Sequence, residues 1–128
     1  MKILQVGKFY APSLGGIETV VRTLSEGLVE KGTDVTVLCF STQVKQITED
    51  HLSGVRVLRV PTPLTLFSQP LSRHFIPTLL KEAEKHDVLH FHVPNPLAEL
   101  GSLFLPEAPR YVATFHAEVQ RQKLLKPL

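Results

Sequence analysis

Short apolar runs separated by longer amphipathic stretches fill this chain, and that alternation constrains its fold more than any other feature. Lys2 to Gly7 (KILQVG), Asp34 to Phe40 (DVTVLCF) and Val55 to Val60 (VRVLRV) have the length and apolar content of buried strands. Asp87 to Val93 and Arg110 to Phe115 repeat the pattern. Strands that lack a polar face belong in parallel sheets covered by helices on both sides. We therefore predict an α/β domain with three αβα layers around a mainly parallel sheet of about five or more strands.

Two of the intervening stretches are predicted to be helices. Ile17 to Lys31 carries apolar residues at helical spacing and ends before Gly32, a common helix stop. Ser72 to Lys85 has a similar periodicity, with Pro77 as a candidate kink. Other segments are expected to be loop with a little helix over Ser41 to Ser53, irregular over Pro61 to Pro70, loop and then a short helix over Pro94 to Leu105, and helical at first over Glu118 to Leu128.

The bulk composition disfavours several classes of protein. The 128 residues suit one domain, residues 1–128. A net charge of +2 with scattered basic residues does not indicate a nucleic-acid partner. Cys39 is the single cysteine, so no internal disulfide can form, which fits a reducing compartment. Neither a signal peptide nor an apolar run near the ~20 residues of a membrane span is evident, so we expect a cytoplasmic protein.

The loop after the first strand, Lys8 to Gly16, is the first candidate binding site. It lies where ligands bind in open α/β sheets, and it leads into a helix. Glycines at such a junction let backbone N–H groups approach an anion, and a diphosphate would fit. The alternative is a turn that only needs a positive φ at Gly15 or Gly16.

Two common nucleotide sites and one regulatory site are disfavoured by missing residues. The chain has neither a G-x-x-x-x-G-K-[ST] loop nor a G-x-G-x-x-G loop, and no acid follows the second strand at Cys39-Phe40-Ser41 to bind a ribose. A flavodoxin-like receiver module needs acids at the carboxyl edge, but the first strand ends in Val6-Gly7-Lys8. A Rossmann-like or flavodoxin-like binding or regulatory module without catalysis stays as the alternative function.

Three motifs together resemble glycosyltransferase family 4. Gly7 to Glu18 (GKFYAPSLGGIE) is similar to the N-terminal signature of that family, Asp87 to His92 (DVLHFH) to its D-V-[VI]-H-x-H strand, and Thr114 to His116 (TFH) to its T-x-H strand end. They occur in the family's order and span nearly the whole chain. The resemblance implies a Rossmann-like domain that forms the N-terminal, acceptor-side half of a GT-B enzyme.

The same resemblance implies an activity. The enzyme would move a sugar, of hexosyl type, from a nucleotide-diphosphate sugar to a glycan or a lipid-linked acceptor with retention of configuration. No metal and no further cofactor are expected. The donor-binding C-terminal domain of such enzymes is absent from this sequence, so we expect the 128 residues alone to be inactive.

The resemblance also assigns site residues. His116 would be catalytic, lying near the donor sugar. The other assignments are Gly15, Gly16, Ile17 and Lys8 at the donor diphosphate, and His92, Tyr10 and Glu18 as substrate-binding residues. Structural roles remain open for these: His116 and His92 as structural histidines, Lys8 in solvent, and Glu18 as a helix-dipole partner. His90 is expected to be a satisfied core histidine, and no cysteine or carboxylate completes a zinc site with these histidines.

Two helices combine basic with apolar side chains. Ser72 to Lys85 and Glu118 to Leu128 have the composition of helices that lie on anionic lipid, so peripheral contact with the inner face of a membrane is one expectation. A solvated face, or a face covered by the missing domain, is the alternative. Uncovered apolar area would also favour self-association of the isolated domain.

Overall fold

The computed structural model describes residues 1–11, 15–67 and 69–116. Within these residues the chain forms strands with helices between some of them. In chain order they are β1 (Lys2–Val6), α1 (Gly16–Glu30), β2 (Asp34–Ser41), β3 (Thr48–Leu52), β4 (Val55–Pro61), β5 (Leu64–Leu66), β6 (Gln69–Leu71), α2 (Phe75–Ala83), β7 (Val88–Val93), α3 (Pro96–Gly101), a 3-10 turn (Ser102–Phe104) and β8 (Arg110–Phe115).

Six strands form the central sheet in the order β3-β4-β2-β1-β7-β8. Every neighbouring pair is parallel except β3 with β4. The chain runs outward from β1 to β2 and β4, then returns to the other side of β1 for β7 and β8. The crevice between the carboxyl ends of β1 and β7 is therefore the topological switch point, where open α/β sheets bind ligands.

Two apolar layers lie on opposite faces of this sheet. On one face Leu38 and Phe40 pack with Leu79 of α2, and the Phe40 ring stacks on Phe75 at 4.3 Å between centroids. On the other face Val37 and its neighbours pack against α1. The predicted α/β fold, Rossmann-like with three layers and a mainly parallel sheet, is confirmed.

The prediction of loop with a little helix for Ser41 to Ser53 is wrong, because β3 occupies Thr48–Leu52. This strand is mostly exposed and polar, so it has no apolar alternation that would reveal it. It pairs with β4 through a tight turn in which Ser53 and Gly54 both have positive φ, 51° and 82°. Ion pairs from Arg56 to Glu49 at 3.0 Å and from Arg59 to Asp50 at 3.5 Å join the two strands.

The prediction of an irregular Pro61 to Pro70 is also wrong in part. β5 and β6 pair there as a separate two-stranded hairpin. The helix predicted over Ser72 to Lys85 forms only over Phe75–Ala83. Pro77 lies in its first turn, where a missing N–H breaks no helical hydrogen bond, so no kink is required. The helix predicted over Glu118 to Leu128 lies outside the described residues.

Candidate functional site

The loop after β1 begins with two backbone hydrogen bonds to β2. Gly7 N donates to Leu38 O at 3.1 Å, and Phe40 N donates to Lys8 O at 2.6 Å. The start of the loop therefore lies beside the end of β2 at the carboxyl edge of the sheet. Lys8 itself is half-buried at the start of the loop.

Neither glycine of the pair adopts the left-handed, positive-φ conformation. Gly15 is the N-cap of α1 with φ 175° and ψ 164°, an extended conformation open to any residue. Gly16 begins the helix, and a Cβ built on it would meet no described residue within 4 Å. The Gly15-Gly16 pair is therefore not explained by a turn that needs a positive φ. Open space above Gly16 is instead what the close approach of a ligand to the backbone requires.

Among the described residues, no side chain caps the N-terminus of α1. The helix closes with Thr19 N donating to Gly15 O at 3.0 Å, while the N–H groups of Gly16, Ile17 and Glu18 have no acceptor among the described residues. Free N–H groups together with the positive end of the helix dipole favour an anion. Gly16 and Ile17 therefore lie where the diphosphate assignment needs them.

Glu18 already brings a negative charge to this helix end. Its carboxylate lies so close to Gly15 that a Cβ there would overlap it. A carboxylate in the first turn stabilises the helix through the dipole without any ligand. The structural role of Glu18 thus has direct geometric support, whereas its substrate role stays a prediction.

Tyr10 is placed in the core, with 1% of its surface exposed. Burial raises the pKa of its phenol to about 12, with a smaller contribution from Glu26. Its hydroxyl finds no hydrogen-bond partner in the described part of the chain. This placement favours packing between the sheet and α1, and it gives Tyr10 no surface to offer a substrate.

A line of histidines runs along one face of β7 and on to the residue after β8. The ring centroids of His90 and His92 are 4.3 Å apart, and those of His92 and His116 are 5.4 Å apart. His90 Nε2 lies 2.7 Å from Thr114 Oγ1, so this half-buried ring is satisfied as predicted. His116 is fixed to the sheet by its backbone N–H, which donates to Val93 O at 3.0 Å.

His92 lies beneath His116, with only 3% of its surface exposed. Its Nδ1 atom is 3.2 Å from His116 Nε2, and its Nε2 atom is 2.7 Å from Gln5 Oε1. Burial, followed by the nearby His90 and His116, lowers the pKa of His92 to about 3, so the ring is neutral near pH 7. His92 therefore contacts His116 and has almost no exposed surface of its own.

Two buried amides at the switch point escaped the sequence analysis. Gln5 is fully buried in β1, and Asn95, just after β7, is fully buried as well. Asn95 Nδ2 donates to Gly7 O at 3.4 Å, across the crevice between the two strands. The signal for Gln5 was present in the sequence, because it is the single polar residue inside an apolar run.

Two open cavities lie along the carboxyl edge of β2 and β4. The larger, about 790 Å³, is bounded by the β5–β6 hairpin and the start of α2; its charged or titratable lining groups are Lys45, Arg73 and His74. The smaller, about 520 Å³, adjoins the loop after β1 and is lined by polar groups that include Glu18 and Arg59. Among the residues that the structure describes, no group of histidine, cysteine and carboxylate side chains is arranged to hold a metal ion.

The first of the two predicted membrane-contacting helices, over Ser72 to Lys85, needs a correction, whereas the second, over Glu118 to Leu128, lies outside the described residues. In α2 the large side chains Phe75 and Leu79 are fully buried, so this helix has no wide exposed apolar face. Exposed apolar groups lie instead on the neighbouring hairpin, where Leu64, Leu66 and Phe67 are 54%, 50% and 94% exposed, and on the 3-10 turn, where Leu103 and Phe104 are 75% and 65% exposed. In the described part of the chain, none of the helices has both the length and the hydropathy of a membrane span.

Comparison with known proteins agrees with this architecture. The family model described as Glycosyltransferase Family 4 matches residues 14–128. The chain is 30% identical over 132 residues to a protein from Escherichia coli named O-antigen chain mannosyltransferase C, an alignment that covers 100% of this chain and 34% of that relative. The chain thus spans about a third of the length of that curated relative. It belongs to glycosyltransferase family 4.

Proposed function

We propose that this chain is the N-terminal, acceptor-side domain of a retaining glycosyltransferase that uses a nucleotide-diphosphate sugar. One observation carries the proposal: the uncapped N-terminus of α1, which follows β1, and His116, which follows β8, lie at the same edge of the sheet. Only β7 separates β1 from β8. An anion-binding helix end and an imidazole on either side of the switch point suit a donor whose diphosphate and sugar need separate contacts.

The donor diphosphate would bind at Gly16 and Ile17. Their N–H groups lack acceptors among the described residues, and the space above Gly16 is open. Lys8, at the start of the same loop, would add positive charge, which offsets the nearby Glu18 carboxylate. His116 would contact the sugar and stabilise the charge that develops there. The name of the relative suggests mannose as the first sugar to test.

A pair of substitutions in one helix tests the donor site. Gly16→Val in the complete enzyme places a branched side chain where the diphosphate would lie, and we expect sugar transfer to fall on the order of 100-fold or more. Gly27→Val is the matched control, because Gly27 also lies in α1 and also has open space above it. Thermal unfolding of both variants shows whether each still folds.

The two proteins separate the competing functions. Loss of transfer in Gly16→Val, with normal transfer in Gly27→Val and intact folding of both, supports the donor site. Equal transfer in both variants would show that the diphosphate does not bind at this loop. A complete protein that transfers no sugar from any nucleotide-diphosphate donor would favour the alternative, a Rossmann-like binding or regulatory module without catalysis.

The acceptor would enter the larger cavity beside the β5–β6 hairpin. Lys45, Arg73 and His74 line this cavity, and none of its described lining residues is a carboxylate, so its charge suits an anionic group. Leu64 and Leu71 line it as well, and Phe67 projects from the hairpin. A cationic wall beside apolar side chains suits a lipid-linked acceptor that carries phosphate. This arrangement supports acceptor binding and peripheral membrane contact through the hairpin instead of α2.

Charge reversal tests the acceptor site. Arg73→Glu in the complete enzyme should raise the KM for a phosphate-bearing lipid acceptor by about tenfold, since ~1.4 kcal/mol of charge interaction is lost. The KM for the donor should not change. Lys81→Glu, an exposed basic residue of α2 outside this cavity, is the control. Equal acceptor KM values for the two variants would place the acceptor elsewhere.

The rest of the enzyme would come from a second domain. The relative is about three times as long as this chain, which supports a C-terminal partner domain that carries most of the donor contacts. We therefore expect the 128 residues alone to give background activity and to self-associate through uncovered apolar surface. We also expect the complete enzyme to be cytoplasmic. Turnover by the isolated chain would show that a second domain is not required for transfer.

A further inference from the structure

We propose that Gln5 and His92 are positioning residues that fix the tautomer of His116, with the proton on Nε2 and a free lone pair on Nδ1. The proposal rests on the function given above for His116 as the group that meets the donor sugar. It adds which ring nitrogen of His116 is available to accept a hydrogen bond or a proton.

The polarity of the chain of hydrogen bonds begins at Gln5. Its Oε1 atom lies 2.7 Å from His92 Nε2, and its side chain is fully buried. An amide oxygen can only accept, so His92 Nε2 carries the hydrogen and donates it. Because His92 is neutral, its other nitrogen, Nδ1, then has only a lone pair.

That lone pair determines the state of His116. His92 Nδ1 lies 3.2 Å from His116 Nε2, and two bare nitrogens at this distance would repel each other. His116 Nε2 must therefore be the donor. In the neutral ring this leaves Nδ1 as a lone pair, with no partner among the residues that the structure describes.

The same arrangement keeps the proton on His116. Gln5 is a neutral amide, and His92 is a buried neutral ring beside His90, so neither can take up a proton from His116. When Nδ1 gains a proton, the Nε2–H bond to His92 persists unchanged. The contacts thus set the polarity and orientation of the ring as a carboxylate partner does, but without a negative charge that would stabilise an imidazolium.

The position of Gln5 supports a role beyond packing. Its neighbours Leu4 and Val6 are fully buried apolar residues. Gln5 Nε2 has no hydrogen-bond partner in the described part of the chain, a free-energy cost that an apolar residue would avoid. The contact that Gln5 does make, to His92, is the gain that offsets this cost.

Nitrogen NMR of the 128-residue chain tests the tautomer directly. Two-bond proton–nitrogen correlations with ¹⁵N-histidine near pH 7.5 should show the Nε2–H pattern for both His92 and His116. An Nδ1–H pattern at His116 would overturn the proposal, and so would averaged shifts at its two nitrogens. Rotating the Gln5 amide reverses every donor in the chain, so the spectrum decides between the two polarities.

Variants separate positioning from packing. Gln5→Leu should convert His116 to a mixture of tautomers, seen as converging nitrogen shifts, and Gln5→Glu should restore the Nε2–H pattern because a carboxylate also accepts. Thr114→Val is the control, since it removes only the bond to His90. An unchanged His116 pattern in Gln5→Leu would refute the role of Gln5. If that variant does not fold, the wild-type spectrum still decides the tautomer.

The spectra and the activity can fail separately. A fixed Nε2–H tautomer in a chain whose complete enzyme transfers no sugar would leave the hydrogen-bond chain standing and remove the proposed function. Normal transfer by an enzyme whose His116 shows mixed tautomers would refute the tautomer proposal and leave the proposed function standing.

Discussion

Acidification should unfold this protein through His92. The ring is 3% exposed, and burial, together with His90 and His116, lowers its pKa from 6.5 to about 3 in the folded chain. In the unfolded chain the pKa returns to its usual value. Between these two values the unfolded state binds a proton that the folded state does not, so stability is lost as the pH falls from about 6.5 towards 3.

The size of the effect follows from the two pKa values. At about pH 5 the unfolded ring is protonated in a ratio of ~30 to 1 while the folded ring stays neutral, which lowers the free energy of unfolding by ~2 kcal/mol relative to pH 8. Near pH 3 the loss reaches ~4 kcal/mol, close to the whole stability of a marginal domain.

The assay is urea denaturation of the 128-residue chain at about pH 8 and about pH 5. His92→Gln removes the titrating ring but keeps an amide donor and acceptor. The free energy of unfolding should therefore differ between the two pH values by ~2 kcal/mol less in this variant than in wild type. His51→Gln, at an exposed histidine of β3, should leave it unchanged. If wild type and His92→Gln lose the same free energy between the two pH values, His92 is not the neutral buried ring described above.

Three further substitutions should change stability, measured by denaturant unfolding near pH 7. Gly54→Ala should destabilise by about 1–3 kcal/mol, because Gly54 has φ 82° and its Cβ would lie 2.7 Å from Val29 Cγ1; an unchanged midpoint would contradict this. Glu82→Gln should cost about 1–3 kcal/mol, because the 3%-exposed carboxylate accepts from Arg56 at 2.6 Å; a smaller loss would mean that the pair is mostly solvated. Gly27→Ala should stabilise by about 0.5–1 kcal/mol, since a Cβ there meets nothing within 4 Å, and any loss would refute the reasoning.

The sequence predicted the elements whose residues carry their own signal. β1 and β2 are apolar runs because both of their faces are buried, and α1 is visible through its helical spacing. β3 has no such signal. It is exposed and polar, and it forms because the Ser53-Gly54 turn brings it to β4, where Arg56 and Arg59 pair with its carboxylates.

Some features of the candidate site could likewise be predicted from the sequence, and others could not. Placement of the Gly15-Gly16 loop and of His116 at the carboxyl edge could be predicted, because each directly follows a recognisable strand or precedes a recognisable helix. The burial of Tyr10 could not, because it depends on how the loop packs between α1 and the sheet.

By itself the sequence determined the fold class, the family resemblance and the edge of the sheet where chemistry is expected. Only the tertiary structure decided that His92 lies beneath His116 and is bound to Gln5. These partners are 24 and 87 positions apart in the chain. They meet because β7 inserts between β1 and β8, and the order of strands in a sheet is set by crossovers over the whole domain rather than by local spacing.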